Sequence, residues 1–463
     1  MKRTHWGSKL GFILATAGSA IGLGNIWRFP YLAGSNGGGS FLLMYFLCTI
    51  GLGYFLLLGK LAFGRTAQTN VVDGFAVVAK KNNKTVSHLW GWIGGLLAML
   101  NILLVSGVYV VVIGWTLSYV ILGIRNLFSN DTLVHAQTFS QLTSSFGMQL
   151  FWGGLCIAIT AAILMKGVKK GIERLSFILM PFLFVLLIFM AIWIFFLPDS
   201  EKGFAFLFVP NWEIMGFTAN GFDFSVFSKL FLTAMGQAFY SLSMGMGVVF
   251  IYGSYLSDKT DLKSATKWIV GLDTFVAVMA GMIVLPAVFA FGLTPSEGPS
   301  LSFISLPMVF SQMMGGSFFM LMFFVLLFVA ALTSLISIYE GGVSLMMDKL
   351  KLSRTKATTY LALANLVITG AIVASFTQKM NLKIGDKDLF TALDTLTGSY
   401  TMLAFVLFVT IFMGWIVSTA IVRNIGQGSN KPQIKFCKRY MRFTLRFTAP
   451  IILVILFMAT LFK

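Results

Sequence analysis

Chemistry in this chain is most concentrated where its first long apolar segment reads Gly18-Ser19-Ala20-Ile21-Gly22-Leu23-Gly24-Asn25-Ile26-Trp27-Arg28-Phe29-Pro30. Glycines loosen a helix there, and an amide and a guanidinium stand among apolar side chains. Within hydrocarbon, an unwound backbone persists only where protein or a water-filled cavity satisfies its N–H and C=O groups. An arginine at that depth marks function by default. Small residues also let membrane helices pack closely, but packing alone explains neither Asn25 nor Arg28. The stretch therefore reads as a binding site near mid-membrane.

The elements that must position it follow from composition. Of 463 residues, 57% are hydrophobic and 11% charged, with mean hydropathy +0.86; an average soluble chain carries roughly 25% charged residues. A helical span needs about 20 mainly apolar residues. Eleven such segments begin near Leu10, Phe41, Leu89, Met148, Ile172, Lys229, Trp268, Ser317, Ala357, Leu389 and Phe443. Their unbroken apolar runs predict helices rather than the alternating strands of a barrel. The first span is too long for a cleaved signal and is expected to remain. With the N-terminus cytoplasmic, inner segments hold 25 Lys/Arg and outer segments seven, so the positive-inside rule sets the orientation and puts the C-terminus outside.

The same pattern excludes several function classes. A net charge of +18 suggests nucleic acid, yet the densest basic run, Lys431 to Arg446, abuts a span and suits the anionic surface of the lipid bilayer. No nucleic-acid partner is expected. Cys48 and Cys156 fall in spans and Cys437 in a loop, so no disulfide framework is implied. His5, His88 and His135 are scattered, and no phosphate-binding G-x-x-x-x-G-K-[ST] occurs. No nucleophile–base constellation appears among the spans. An enzyme is therefore not expected, and no obligatory protein partner is evident.

A second broken helix lies five spans after the first, at Tyr240-Ser241-Leu242-Ser243-Met244-Gly245-Met246-Gly247. Paired interruptions at matching places in two halves point to an inverted-repeat transporter with its site at the repeat interface. Because five is odd, the second copy enters the membrane from the opposite side. The expected architecture is an all-α membrane protein of eleven transmembrane helices in a 5+5 inverted repeat, with helices 1 and 6 unwound at mid-membrane. Its parts are a cytoplasmic segment (1–9), a first repeat (10–197), an outer loop (198–228), a second repeat (229–420), a basic cytoplasmic loop (421–442) and an appended eleventh helix (443–463).

At this point the chain resembles, nearly end to end, a bacterial member of the neurotransmitter:sodium symporter family. The resemblance rests on Trp6 to Phe12 (WGSKLGF), Gly22 to Pro30 (GLGNIWRFP), Asn36 to Gly39 (NGGG), Gly64-Arg65, Trp115-Thr116-Leu117, Gln237 to Ser243 (QAFYSLS), Gly298 to Ile304 (GPSLSFI) and Leu332-Thr333-Ser334. It implies sodium-coupled import of an amino acid by alternating access across a bacterial plasma (inner) membrane. Two sodium ions are implied. The first would be held by Ala20, Asn25, Ser241 and Asp273 with the substrate carboxylate, the second by Gly18, Ile21, Ala330, Thr333 and Ser334. Such oxygen ligands, mostly neutral, suit a hard monovalent ion that must leave again. Hydroxyls in membrane helices also commonly bond back to their own helix; the break in the first span weighs against that for Thr333 and Ser334.

The substrate would lie against Ser19, Ala20, Leu23, Gly24, Val105, Tyr109, Tyr240, Ser241, Ser243, Met246, Ser334 and Ile338. Half-helix N-termini offer free N–H groups to its α-carboxylate, and Tyr109 is expected on that group. Gly22 stands where amine-transporting relatives carry aspartate, which argues for a zwitterion. Met246, an adaptable thioether, suggests broad selectivity for hydrophobic L-amino acids. Arg28 and Asp394 are implied as the outer gate over Tyr240. Arg3 and Asp348 are implied as the inner gate, with Trp6, Ser254 and Tyr255 around them. Gly171 and Pro181 in the fifth span are implied as a site of local unwinding that admits water to the second sodium.

Two positions depart from the family pattern. Lys60 replaces a glutamate, and because a buried ammonium needs a partner, Glu340 on the eighth span is expected to compensate it. Asp273 replaces asparagine. Relatives that recruit chloride use the positions of Tyr45, Gln237, Ser241, Asp273 and Ala277, so a fixed carboxylate here predicts that no chloride is required. The alternatives are an amino-acid sensor of transporter ancestry and an ion channel; a channel would need a continuous polar file, whereas the polar residues converge on one depth.

Overall fold

The computed structural model describes residues 5–128, 137–219, 221–292, 300–377, 382–427 and 434–461. Among them nine helices are long and apolar enough to cross a membrane: Gly39–Ala67, His88–Leu127, Phe146–Met165, Val168–Phe195, Leu262–Ala290, Gly316–Lys349, Arg354–Phe376, Leu389–Ile416 and Arg439–Leu461. A tenth is a bent pair, Lys9–Ala20 and Gly24–Ser35, which meet at 52°. The segment expected as the sixth span is also divided, into Phe224–Ser241 and Val248–Ser254, with residues 242–247 non-helical between them. In sequence order these eleven segments are numbered below as the first to eleventh spans expected from the sequence.

Local chemistry accounts for both interruptions. Ser8 caps the first helix by accepting from the Gly11 N–H at 2.9 Å, as N-cap serines do. Ile21 then turns extended, with ψ of 109°, and ends it. Helix resumes at Gly24 with a wide turn, and Pro30 sits in the first turn of the regular helix that follows, where its missing N–H costs nothing. In the sixth span Ser243 and Gly247 both have positive φ, 50° and 73°. That region is uncommon for a residue with a side chain, so contacts elsewhere must hold Ser243 there.

The broken spans occupy the centre of the bundle. The first packs on the fifth, seventh and eighth spans, and the short helix Val248–Ser254 packs on the second. The most extensive contact of all joins the third and eighth spans, whose inner portions are almost wholly buried. Two small antiparallel pairs, Phe217–Thr218 with Gly221–Phe222 and Lys383–Ile384 with Lys387–Asp388, lie in loops.

Candidate substrate and cation site

The two breaks hold each other. Ser243 donates its hydroxyl to the Ser19 carbonyl at 2.8 Å, and Gln237 donates its amide to the Gly24 carbonyl at 2.7 Å. The Ser243 hydroxyl bond and the bond of its N–H to the Tyr240 carbonyl at 3.1 Å both hold this unusual backbone. Two further side chains reach the sixth-span break from neighbouring helices. Lys60 of the second span donates to the Met244 carbonyl at 2.5 Å, and Asn101 of the third donates to the Gly245 carbonyl at 2.9 Å. Carbonyls freed by unwinding are thus satisfied inside the protein, as hydrocarbon surroundings demand.

Around the first break, acceptors outnumber donors. Ser334 Oγ lies 3.3 Å from the Gly18 and Ser19 carbonyls and 3.0 Å from that of Ile21, yet a serine has one proton to give. Thr333 Oγ1 turns to its own helix, 3.0 Å from the Ala330 carbonyl, and a Cβ at Gly18 would stand 3.5 Å from that hydroxyl. Gly18, Ile21, Ala330, Thr333 and Ser334 therefore meet at one place rich in neutral oxygens. Such a donor set fits a hard monovalent cation.

A second cluster includes a charge. Asn25 Nδ2 is 3.0 Å from Ser241 Oγ, 3.0 Å from the Asp273 carbonyl and 2.9 Å from Asp273 Oδ1. Ser241 donates to Asp273 Oδ2 at 2.7 Å, and Tyr45 OH lies 3.4 Å from both partners. All four residues are buried. Asn25 Oδ1, the atom expected to ligate sodium, instead accepts from the Gly22 N–H at 3.2 Å; a half-turn of the amide would exchange the two atoms. Gln237 Oε1 is buried with no hydrogen-bond partner among the described residues.

Between these clusters is a cavity of about 30 Å³. Ser19, Ala20, Leu23, Gly24, Val105, Tyr109, Tyr240, Ser243, Met246, Ser334 and Ile338 line it together with Gly22 and Met402. Of the residues expected to touch substrate, Ser241 alone is missing from this lining, because its hydroxyl turns toward Asp273. Tyr109 OH accepts from the Leu23 N–H at 3.3 Å. A Cβ at Gly22 would stand 2.6 Å from Ser334 Oγ and 2.7 Å from Tyr109 OH, so any side chain at position 22 would have to displace these hydroxyls.

A family model described as the sodium:neurotransmitter symporter family matches residues 3–137 and 135–463. The chain belongs to this family. It is 33% identical to a sodium-dependent transporter of Haemophilus influenzae over all of this chain and 99% of that one. Identity to the sodium-dependent transporter YhdH of Bacillus subtilis is 34%, over 99% of this chain and 97% of that one. The crystal structure of MhsT in complex with L-phenylalanine is similar with a TM-score of 0.85 and 35% identity, covering 99% of this chain and all of that one. The protein is thus a multi-pass, sodium-dependent membrane transporter and not an enzyme.

For a transporter of this family, the two faces of the cavity differ. Leu23, Val105, Tyr109, Tyr240 and Met402 also border a second cavity of about 250 Å³, which holds Arg28 and Asp394. The Arg28 guanidinium lies 4.5 Å from the Tyr240 ring centre, and it forms no ion pair with Asp394 among the described residues. The N-terminal face is closed. Trp6 is buried, its backbone N–H and indole donating to the carbonyls of Tyr255 and Tyr252 at 3.2 and 3.1 Å. Arg3, expected opposite Asp348, lies outside the described residues, as do Gly298 and Pro299 of the outer-loop motif. Asp348 itself is 3.4 Å from the Asn70 amide.

The expected pairing of Lys60 with Glu340 does not occur. Glu340 pairs with Arg354 and accepts from Tyr255 OH at 2.7 Å. Lys60 faces a carbonyl and the Phe405 ring. Sequence reasoning missed this because it sought a charge for a charge, whereas the freed carbonyl of an unwound turn is also an acceptor.

Two other residues went unnoticed in the sequence. Met402 of the tenth span lines both cavities and lies against Gly245, where a Cβ would come within 2.4 Å of it. Glu173 lies two residues after Gly171, in the wide turn that opens the fifth span, and this span is helical through Pro181. Its carboxylate accepts from the Gly7 N–H at 2.8 Å and from the Ser8 N–H and hydroxyl, each at 2.9 Å. A carboxylate at a helix N-terminus also meets the positive end of its dipole. The acid before the Arg174 of a basic segment was its only signal.

Glu173→Gln leaves one acceptor oxygen where there were two, and hydrogen bonds to charged groups contribute about 1.5–3 kcal/mol. Hydrogen exchange in residues 7–12 is therefore expected to rise roughly tenfold or more. Unchanged exchange would show that Trp6 packing alone closes this face.

Proposed function

We propose that the chain imports hydrophobic L-amino acids together with two sodium ions, without chloride, by alternating access between the two faces of the central cavity. The observation that carries this reading is the cavity's lining. Leu23, Val105, Met246, Ile338 and Met402 surround one part with apolar surface, while unwound backbone and Tyr109 OH offer polar groups at another. Amino group and carboxylate suit the polar part, the side chain the apolar part. The likeness to a protein crystallised with L-phenylalanine supports the same substrate class. A volume of about 30 Å³ holds roughly one or two waters, so Tyr240, Met246 and Met402 must yield for a large side chain to enter.

In this reading the substrate carboxylate completes the cluster of Ala20, Asn25, Ser241 and Asp273 around the first sodium. Gly18, Ile21, Ala330, Thr333 and Ser334 hold the second. Arg28 with Asp394 closes the outer face over Tyr240, and Arg3 with Asp348 closes the inner face beside Trp6 and Tyr255. Unwinding between Gly171 and Pro181 opens the second ion to the cytoplasm, in the course of which Glu173 releases the start of the first helix. The 5+5 repeat (10–197 and 229–420), the appended helix (443–463) and a cytoplasmic N-terminus belong to the same proposal.

Purified protein in liposomes should take up leucine, phenylalanine and tryptophan only with sodium outside, and Met402→Ala should favour tryptophan over leucine several-fold. Uptake that persists with choline in place of sodium, or glycine and alanine outcompeting the large substrates, would overturn the reading.

Chloride independence follows from the carboxylate of Asp273, because a cation buried in low dielectric favours a fixed negative neighbour. Tyr45 and Ser241 already hydrogen-bond that carboxylate, and Ala277 is buried one turn further along the same helix. Wild-type uptake should be equal in chloride and gluconate. Asp273→Asn should be defective, and adding Ala277→Ser should make uptake rise with chloride. A wild type that fails in gluconate, or a double mutant indifferent to chloride, would contradict this.

A further inference from the structure

Lys60 is 2% exposed, within the second span, and its partners among the described residues are the Met244 carbonyl at 2.5 Å and the Phe405 ring at 5.5 Å. An ammonium has three N–H groups, and here one has a strong acceptor. The ring face is a weak substitute for an anion. Charged and titratable groups on the elements packed against this span are engaged elsewhere or make no contact with the amine. Asp73 pairs with Lys349, Asp273 with Asn25 and Ser241, and the Tyr252 hydroxyl with Ser337. Arg65 on the same helix binds Thr260 and Asn424, Lys81 the Thr66 carbonyl, and Arg446 the Gly414 carbonyl and Ser418. Lys80, Lys263, Lys267 and Arg423 contribute only further positive charge. A buried cation without an anion is costly.

We propose that Lys60 is a proton-binding site coupled to the cation cycle of the proposed transport function. As sodium fills the centre, the ammonium gives one proton to bulk water and becomes a neutral amine; when sodium leaves, the proton returns. The amine keeps N–H groups in both forms, so the bond to Met244 survives the loss. Geometry supplies the coupling. Met244 is three residues from Ser241 of the charged cluster, and three residues reach at most about 11 Å. A unit charge at that reach, about 11 Å, and an effective dielectric of about 20 shifts a proton equilibrium roughly tenfold. Linkage is reciprocal. Sodium expels the proton, and protons weaken sodium binding, so apparent sodium affinity rises with pH.

The test uses full-length purified protein and sodium chloride as the ligand, with a pH indicator in weakly buffered solution and radioactive sodium binding measured in parallel. Wild type should release protons on sodium addition, and its sodium affinity should rise about tenfold from acid to alkaline pH. Lys60→Arg retains the donor and a charge that does not titrate; it should release no protons and bind sodium with a pH-independent affinity. Lys60→Gln should also release none. Sodium binding by wild type without proton release, or undiminished release from Lys60→Arg, overturns the proposal and leaves the transport reading intact. Absence of sodium binding by wild type overturns both.

Discussion

Everything at the centre of this protein depends on one constraint: backbone groups released from a helix inside hydrocarbon must find partners within the protein. Two spans are interrupted, and each interruption frees carbonyls that its own helix no longer satisfies. Lys60, Asn101, Gln237, Ser243 and Ser334 reach across from other segments to meet them. Where donors suffice, as at Met244 and Gly245, the result is a fixed shape. Where they do not, as at Gly18 and Ile21 around the Ser334 hydroxyl, the leftover oxygens suit the cation of the proposed function. On the proposed function, rigidity and ion binding are two outcomes of the same unsatisfied backbone.

The asymmetry of the two faces follows from how each is closed. On the N-terminal side, backbone and indole donors of Trp6 and the acceptors of Glu173 fasten the start of the first span to the sixth and fifth spans. On the opposite side, Arg28 rests on Tyr240 and shares a cavity of about 250 Å³ with Asp394 rather than a direct bond. On the proposed function, closing that side takes side-chain movements, whereas opening the other takes the start of the first helix from its carboxylate, so the faces are unequal in what must be broken.

Much of this was legible in the sequence because the breaks are written locally. Glycines, Asn25 and Arg28 inside an apolar run mark the first interruption, and Ser241 to Gly247 the second. The long apolar helices follow from the same hydropathy, apart from their ends. The long spans extend past their hydrophobic cores, so Leu262 rather than Trp268 begins the seventh and Val168 rather than Ile172 the fifth. What remained hidden depends on residues distant in the chain. Lys60 and Asn101 carry no mark of the carbonyls they serve, nor does Glu173 announce a helix 165 residues away. Met402 is one methionine among 25, and only its place against Gly245 distinguishes it. Ser241, expected at the substrate, faces Asp273, since a hydroxyl's direction is set by partners that the pattern does not reveal.

The central claim is that the interrupted first span provides two separate cation sites. Equilibrium binding of radioactive sodium to purified protein at saturating leucine tests it most directly. Two ions per chain should bind, falling to one in Asn25→Ala and to one in Ser334→Ala, with the two variants differing in which remaining ion depends on leucine. Two ions retained in both variants, or a single ion bound by the wild type, would contradict the account.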